Sequence, residues 1–155
     1  MDFHINNNEY HSHNHRKYLI LYHIIWCPKF RFSVLTNKYS DDLKIIIKSL
    51  CDDKKYKIIA IEVMPDHVHI LIDCPVTESP CDIVRYLKSK SAIMMFKNHI
   101  ELKRFYKRSQ CLWSRGYFIA SVGNTNKEIV KKYIEEQIKW TINKNIIQMK
   151  TIKNF

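Results

Sequence analysis

The chain has 155 residues, 46% of them hydrophobic, with four prolines and two glycines, a make-up that suits one globular domain with a sizeable core and gives no reason to divide it. A formal net charge of +11 and a pI of about 9.4 favour a polyanionic partner, nucleic acid first. The longest apolar-rich run, Tyr18 to Cys27, is interrupted by His23 and too short to span a bilayer, and no basic-then-apolar leader opens the sequence, so a cytoplasmic protein with no membrane role is expected.

Residues 1–17 are polar and Asn-rich, carry His4, His11, His13 and His15 without an apolar period, and read as a mobile tail; residues 18–150 then form the single domain. From Tyr18 to Pro28 the β-branched and aromatic content predicts a first strand, stopped by Cys27-Pro28. Ser40, followed by Asp41 and Asp42, predicts the cap of a first helix whose apolar face is Ile45, Ile46, Ile47 and Leu50, with Lys54 and Lys55 at its C-terminal end. A second strand over Tyr56 to Val63 and the turn Pro65-Asp66 predict a hairpin into the strand that begins at His67.

In that strand, apolar residues alternate with His67, His69, Leu71 and Asp73 at the two-residue period. Both imidazoles therefore project from one face, at a separation suited to holding one metal ion, while Val68, Ile70 and Ile72 face the core. A pair of core histidines is the other reading of the same spacing.

Ser79-Pro80-Cys81-Asp82 predicts a helix start, with the helix running to about His99. Residues 100–111 are basic and irregular, with a further helical turn expected among them, before a short strand over Tyr117 to Val122 that Gly123 ends. Thr125-Asn126-Lys127-Glu128 fits a capping box and opens a last helix, from Lys127 to about Asn145. On it Ile129, Tyr133 and Gln137 share one face, and Val130, Ile134 and Ile138 form the adjoining apolar stripe. The order β-α-β-β-α-β plus a terminal helix predicts an α+β fold: a ferredoxin-like or RNA-recognition-like antiparallel sheet with helices on one face and a C-terminal helix bearing Tyr133.

Five cysteines without Cys-x-x-Cys spacing argue against a disulfide framework or a zinc ribbon. Basic residues interleave with Phe30, Phe32, Phe105, Tyr106 and Trp113, a composition that pairs phosphate neutralisation with stacking surfaces for unpaired bases. Lys29, Arg31, Lys88, Lys90, Arg115, Lys131 and Lys132 are the candidate DNA contacts.

The segments His23-Ile24-Ile25-Trp26-Cys27-Pro28-Lys29-Phe30-Arg31, Glu62-Val63-Met64-Pro65-Asp66-His67-Val68-His69, Leu112-Trp113-Ser114-Arg115-Gly116-Tyr117-Phe118 and Val130-Lys131-Lys132-Tyr133-Ile134-Glu135-Glu136-Gln137 resemble, in order and spacing, those of the IS200/IS605-family transposases, the single-tyrosine members of the HUH endonuclease superfamily. The resemblance covers about residues 18 to 140. It implies a DNA transposase that cleaves and rejoins single strands at insertion-sequence ends through a 5′-phosphotyrosine. Tyr133 falls on the nucleophile, and His67, His69 and Gln137 on the ligands of a divalent metal, Mg²⁺ or Mn²⁺. The implied partners are single-stranded DNA with subterminal hairpins and a second copy of the chain, with the tyrosine helices exchanged. Gly123-Asn124 offers a hinge for that exchange, although sequence alone does not separate it from a helix folded back on its own sheet.

Glu62 and Asp66 flank the histidines and are candidates to orient an imidazole. Tyr117 is the rival nucleophile by position. Two other functions fit the same motifs: a non-catalytic nucleic-acid-binding module, and a domesticated relative acting on palindromic repeats.

Overall fold

The computed structural model describes residues 10–13 and 15–137. Strands β1 (His11–His13) and β2 (Arg16–Tyr18) pair with each other. Next come β3 (Leu21–Trp26), α1 (Lys38–Asp53), β4 (Lys57–Met64), β5 (His67–Asp73), α2 (Pro80–Asn98), α3 (Ile100–Phe105), β6 (Phe118–Val122) and a helix over residues 127–137, here α4. β3 to β6 form one sheet in the order β4-β5-β3-β6, with every pairing antiparallel. The two strands that open the β-α-β halves, β3 and β5, thus lie side by side at the centre, which is the ferredoxin-like α+β arrangement expected from the element order.

Strand periodicity divides the sheet cleanly. Ile24, Trp26, Val68, Ile70 and Ile72 are all at most 1% exposed and pack in one cluster with Leu43, Ile46, Ile47 and Leu50 of α1 and Ile83, Val84, Leu87 and Met95 of α2. On the opposite parity Leu21, Ala60 and Leu71 form a smaller cluster closed by Ile134, with Val130 packed against it. The helices α1 and α2 therefore cover one face, as expected, and α4 covers the other. Leu71 is fully buried beneath α4, so Leu71→Ala should cost roughly 2–5 kcal/mol through lost transfer energy and a residual cavity, read as a lower midpoint in urea unfolding at unchanged m-value.

Several local expectations are met for the reasons given by their residues. The Ser79 side chain accepts from Asp82 N–H and Pro80 occupies the first turn of α2. Pro65-Asp66 joins β4 to β5 as a tight hairpin. Three expectations are corrected. Residues 10–13 and 15–17 are not a mobile tail: β1 pairs with β2, and His11 Nε2 lies 2.7 Å from Asp73 Oδ2 at the end of β5, while residues 1–9 lie outside the described residues. Ser40 does not cap α1, which begins at Lys38 after Asn37 at φ 46°; its hydroxyl reaches the Val63 carbonyl at 3.4 Å instead. The further helical turn expected after α2 is present, as α3 over residues 100–105. Thr125 sits inside a 3-10 turn over Asn124–Asn126 that leads into α4, so it is not the capping residue of a box. The stretch 138–145 of the last helix lies outside the described residues.

Candidate active site

Register places the histidines. Ile25 stands opposite His69 and His23 opposite Leu71 across β3 and β5, and opposed residues share a face, so His23 and His69 both look toward α4. His67 follows at the same parity, its ring centroid 4.6 Å from that of His69. The pair is thus gathered on the α4 side of the sheet, with His67 half-buried and His69 4% exposed.

The hydrogen bonds of these rings set their chemistry. His67 Nδ1 donates to Asp66 Oδ1 at 2.6 Å, which fixes the ring with Nε2 on the side away from that carboxylate. Burial works against the Asp66 charge, but the bonds from His67 and Arg31 outweigh it and hold its carboxyl below the usual range. Arg31 Nε completes that chain with a 3.0 Å bond to Asp66 Oδ2. His69 Nδ1 lies 3.3 Å from His23 Nε2; donation from His69 to His23 fixes that ring in the same way. Burial, reinforced by the His67 and His23 charges, pushes His69 down to about 4, and burial lowers His23 also. Both are then neutral near pH 7, the state in which an imidazole is a ligand. The donor set of two imidazole nitrogens with an oriented outer shell therefore fits a divalent metal, with Asp66 rather than Glu62 as the orienting carboxylate. Glu62, although opposite His69 in register, is buried and held by Lys44 Nζ at 2.7 Å.

His23 was not singled out by sequence reasoning. The signal was present: it is the one imidazole in an apolar strand, at the parity of Leu21 and Ile25. What assigns it to the site is its pairing with β5, which local pattern does not carry.

Tyr133 comes from α4, with its ring edge-on to His69 at 6.0 Å and to His23 at 6.5 Å between centroids. It is 51% exposed, so the phenol is open to a substrate. Gln137 follows one turn later and is half-buried. Tyr117, the rival, is 42% exposed, but its hydroxyl is turned to Cys81 Sγ at 3.5 Å. That bond raises the phenol above its usual pKa, the wrong direction for a nucleophile.

Beside the histidines opens a cleft of about 390 Å³, lined among others by Arg31, His67, His69, Ser114, Gly116 and Tyr117. Its 114–116 wall is fixed from two sides. Pro28 bridges to Trp113, and Lys88 Nζ donates to the carbonyls of Ser114, Arg115 and Gly116 at 2.8, 3.1 and 3.0 Å. Lys88 was expected to contact DNA; its ammonium is instead spent on three protein carbonyls. Among the other candidates, Arg31 lines the cleft, Arg115 lines a neighbouring groove with Arg85 and Tyr117, and Lys29 lies 5.2 Å over the Phe30 ring. Lys90 is exposed on α2 and Lys131 half-buried on α4, and Lys132 pairs with Glu136 at 3.9 Å. The helix that carries Lys131 and Tyr133 packs on the face of the sheet that carries His67 and His69.

The family described as IS200-like transposases matches residues 16–137, from β2 to the end of the described part of α4. The ISDra2 transposase TnpA of Deinococcus radiodurans is 37% identical over 120 residues, 77% of this chain and 85% of that protein. The transposase of insertion sequence IS200 from Salmonella typhimurium is 32% identical over 124 residues, 80% of each chain. Among solved structures, a transposase from Deinococcus radiodurans R1 superposes with a TM-score of 0.68 at 31% identity, over 82% of this chain and 97% of that one. The REP-associated tyrosine transposase bound to a REP hairpin shares the fold, with a TM-score of 0.55 at 19% identity over 81% and 72%. None of the described helices is long and apolar enough to cross a membrane. The match runs through the strand of His67 and His69 and the helix of Tyr133 alike, and with it the chain belongs to the IS200-like transposases, a family of DNA-processing enzymes.

Proposed function

We propose that this transposase cleaves and rejoins single-stranded DNA at insertion-sequence ends, with Tyr133 as nucleophile and His67, His69 and Gln137 as the holders of a divalent metal, Mg²⁺ or Mn²⁺. The observation that carries the reading is the convergence of an exposed tyrosine from α4 on two imidazoles whose Nδ1 atoms are engaged by Asp66 and His23. A divalent ion bound there supplies Lewis acidity at a phosphate oxygen. The chain's own residues do the rest. The Tyr133 oxygen attacks phosphorus, the bond to the 3′ oxygen breaks, and one proton passes overall from the phenol to the departing 3′ hydroxyl. The product is a 5′-phosphotyrosine, an ester exchanged for an ester, so a new 3′ hydroxyl can reverse the step and join a different strand. A water nucleophile would forfeit that.

The test is to incubate the protein with labelled single-stranded element ends and Mg²⁺ or Mn²⁺ and look for a covalent adduct that protease digestion reduces to a tyrosyl peptide. Binding without any adduct would instead support the non-catalytic module.

The partner assembly follows from the same count of groups: one nucleophile per chain, two transposon ends. The proposal is a homodimer with exchanged α4 helices. Among the described residues of α4 only Ile134 is fully buried, so the helix is lightly held and the same apolar contact serves a neighbouring sheet equally well. Gly123 has φ −69° and ψ 153°, an extended conformation open to any residue, so a hinge there needs no glycine in the arrangement described. Mixing Tyr133→Phe and His67→Ala subunits discriminates: in exchanged dimers one composite site is intact and cleavage partly returns. Continued absence of cleavage in a demonstrated mixed dimer would place each site within a single chain.

A further inference from the structure

Three exposed rings next to the cleft have no role in the site above. Phe30 is 65%, Phe32 44% and Phe105 58% exposed, yet they touch: Phe30 and Phe32 lie 5.5 Å apart and Phe32 and Phe105 5.5 Å apart. Scattered exposed apolar residues are ordinary, whereas a contiguous aromatic patch marks a binding surface. Its placement is built. Phe30 and Arg31 have φ of 61° and 53°, left-handed backbone that bulky residues adopt rarely, and the short turn they form holds Phe30 outward. Beneath the patch Tyr106 is buried, its ring 5.0 Å from Phe105 and 6.4 Å from Phe32. Its hydroxyl donates to the Lys29 carbonyl at 3.2 Å.

The surroundings choose the occupant. Lys29, Arg31, Lys103, Arg104 and Lys107 flank the rings in sequence, and all but the half-buried Lys29 are exposed. An exposed aromatic cluster, its rings tilted at 52° and 77° to one another, with cations beside it in sequence on a chain of net charge +11, matches a polyanion with exposed flat faces, and duplex DNA hides its base faces in its own stack. Arg31 joins the patch to the site: it lines the cleft, and its one bond to Asp66 links it to His67 while its side chain stays 70% exposed.

We infer that Phe30, Phe32 and Phe105 form a stacking platform for unpaired bases of a DNA strand that continues past Arg31 into the histidine cleft. The inference rests on the single-strand reading above but does not require Tyr133 to be the nucleophile.

The experiment compares binding of the full chain to an oligothymidylate of about 16 nucleotides and to an abasic strand of equal length at the same salt. Phosphates are then constant and only bases differ. Stacking is expected to make the wild-type chain roughly tenfold or more tighter on the thymidylate. The triple change Phe30→Ala, Phe32→Ala, Phe105→Ala should erase that ratio while leaving abasic binding unchanged. Phe30→Trp, which keeps an aromatic ring should the triple variant fail to fold, is expected to show fluorescence quenched by the thymidylate and not by the abasic strand. Equal wild-type affinities, an undiminished ratio in the triple variant, or an unquenched tryptophan each overturn the platform. So does loss of self-association in the triple variant with the ratio intact, which would make the patch a subunit interface. Adduct formation is scored separately: an adduct without a base-dependent ratio sinks this inference alone, and the ratio without an adduct sinks the tyrosine chemistry alone.

Discussion

Tyr133→Phe should abolish the covalent protein–DNA adduct while single-strand binding persists. One oxygen is removed and nothing else: the ring keeps its edge-on contacts with His69 and His23 at 6.0 and 6.5 Å, and at 51% exposure the hydroxyl contributes little to stability, within about 0.5 kcal/mol. Deleting a nucleophile outright typically costs on the order of 10⁴-fold or more in turnover, so cleavage should fall below detection while the melting temperature holds. Adduct is measured by label retained on the protein under denaturing conditions. A persisting adduct in this variant would remove Tyr133 from the reaction and turn attention to Tyr117. For Tyr117 to take over, its hydroxyl would first have to leave Cys81, 3.5 Å away.

The second large effect is expected at the histidines. His67→Ala and His69→Ala should each eliminate metal-dependent cleavage, as should EDTA, because each change removes one of the two imidazoles gathered at the site. Asp66→Asn should do less. It keeps a partner for His67 Nδ1 but loses the charge that orients and polarises the ring, a loss of roughly 10–100-fold in metal affinity. Mn²⁺ should support cleavage at least as well as Mg²⁺, since two imidazoles suit the softer ion. The grading separates this reading from a purely structural one, in which Asp66→Asn and His67→Ala would track protein stability and not metal concentration. The measurement is cleavage rate against metal titration, with unfolding followed in parallel. Undiminished cleavage in EDTA would exclude the metal.

Much of the site was legible in the sequence because its ingredients are local. The two-residue period of β5 fixed which face carries His67 and His69, Pro65-Asp66 fixed the hairpin, and the helical period set Tyr133 and Gln137 on one side of α4, whatever those elements pack against. The strand and helix order was enough for the sheet topology, since sequential β-α-β-β-α-β units have few ways to close. The charge of the chain announced its polyanionic substrate.

What only the tertiary structure decided are the pairings between residues far apart in the chain. His23 joins the site through the register of β3 on β5, 46 residues away, and the Lys88 ammonium is held because carbonyls 26 to 28 residues downstream accept its hydrogen bonds. Glu62 and Asp66 looked interchangeable until Lys44 claimed one and His67 the other. Ser40 has the chemistry of a cap, yet the chain entered the helix two residues before it, and the histidine-rich N-terminal stretch paired into β1 and β2 with His11 against Asp73. In each case periodicity sets the direction in which a side chain points, an intrinsic property of the backbone, but its partner is set by which distant element folding brings to that face. That is a choice among competing contacts of similar energy, and no local window contains the competitors.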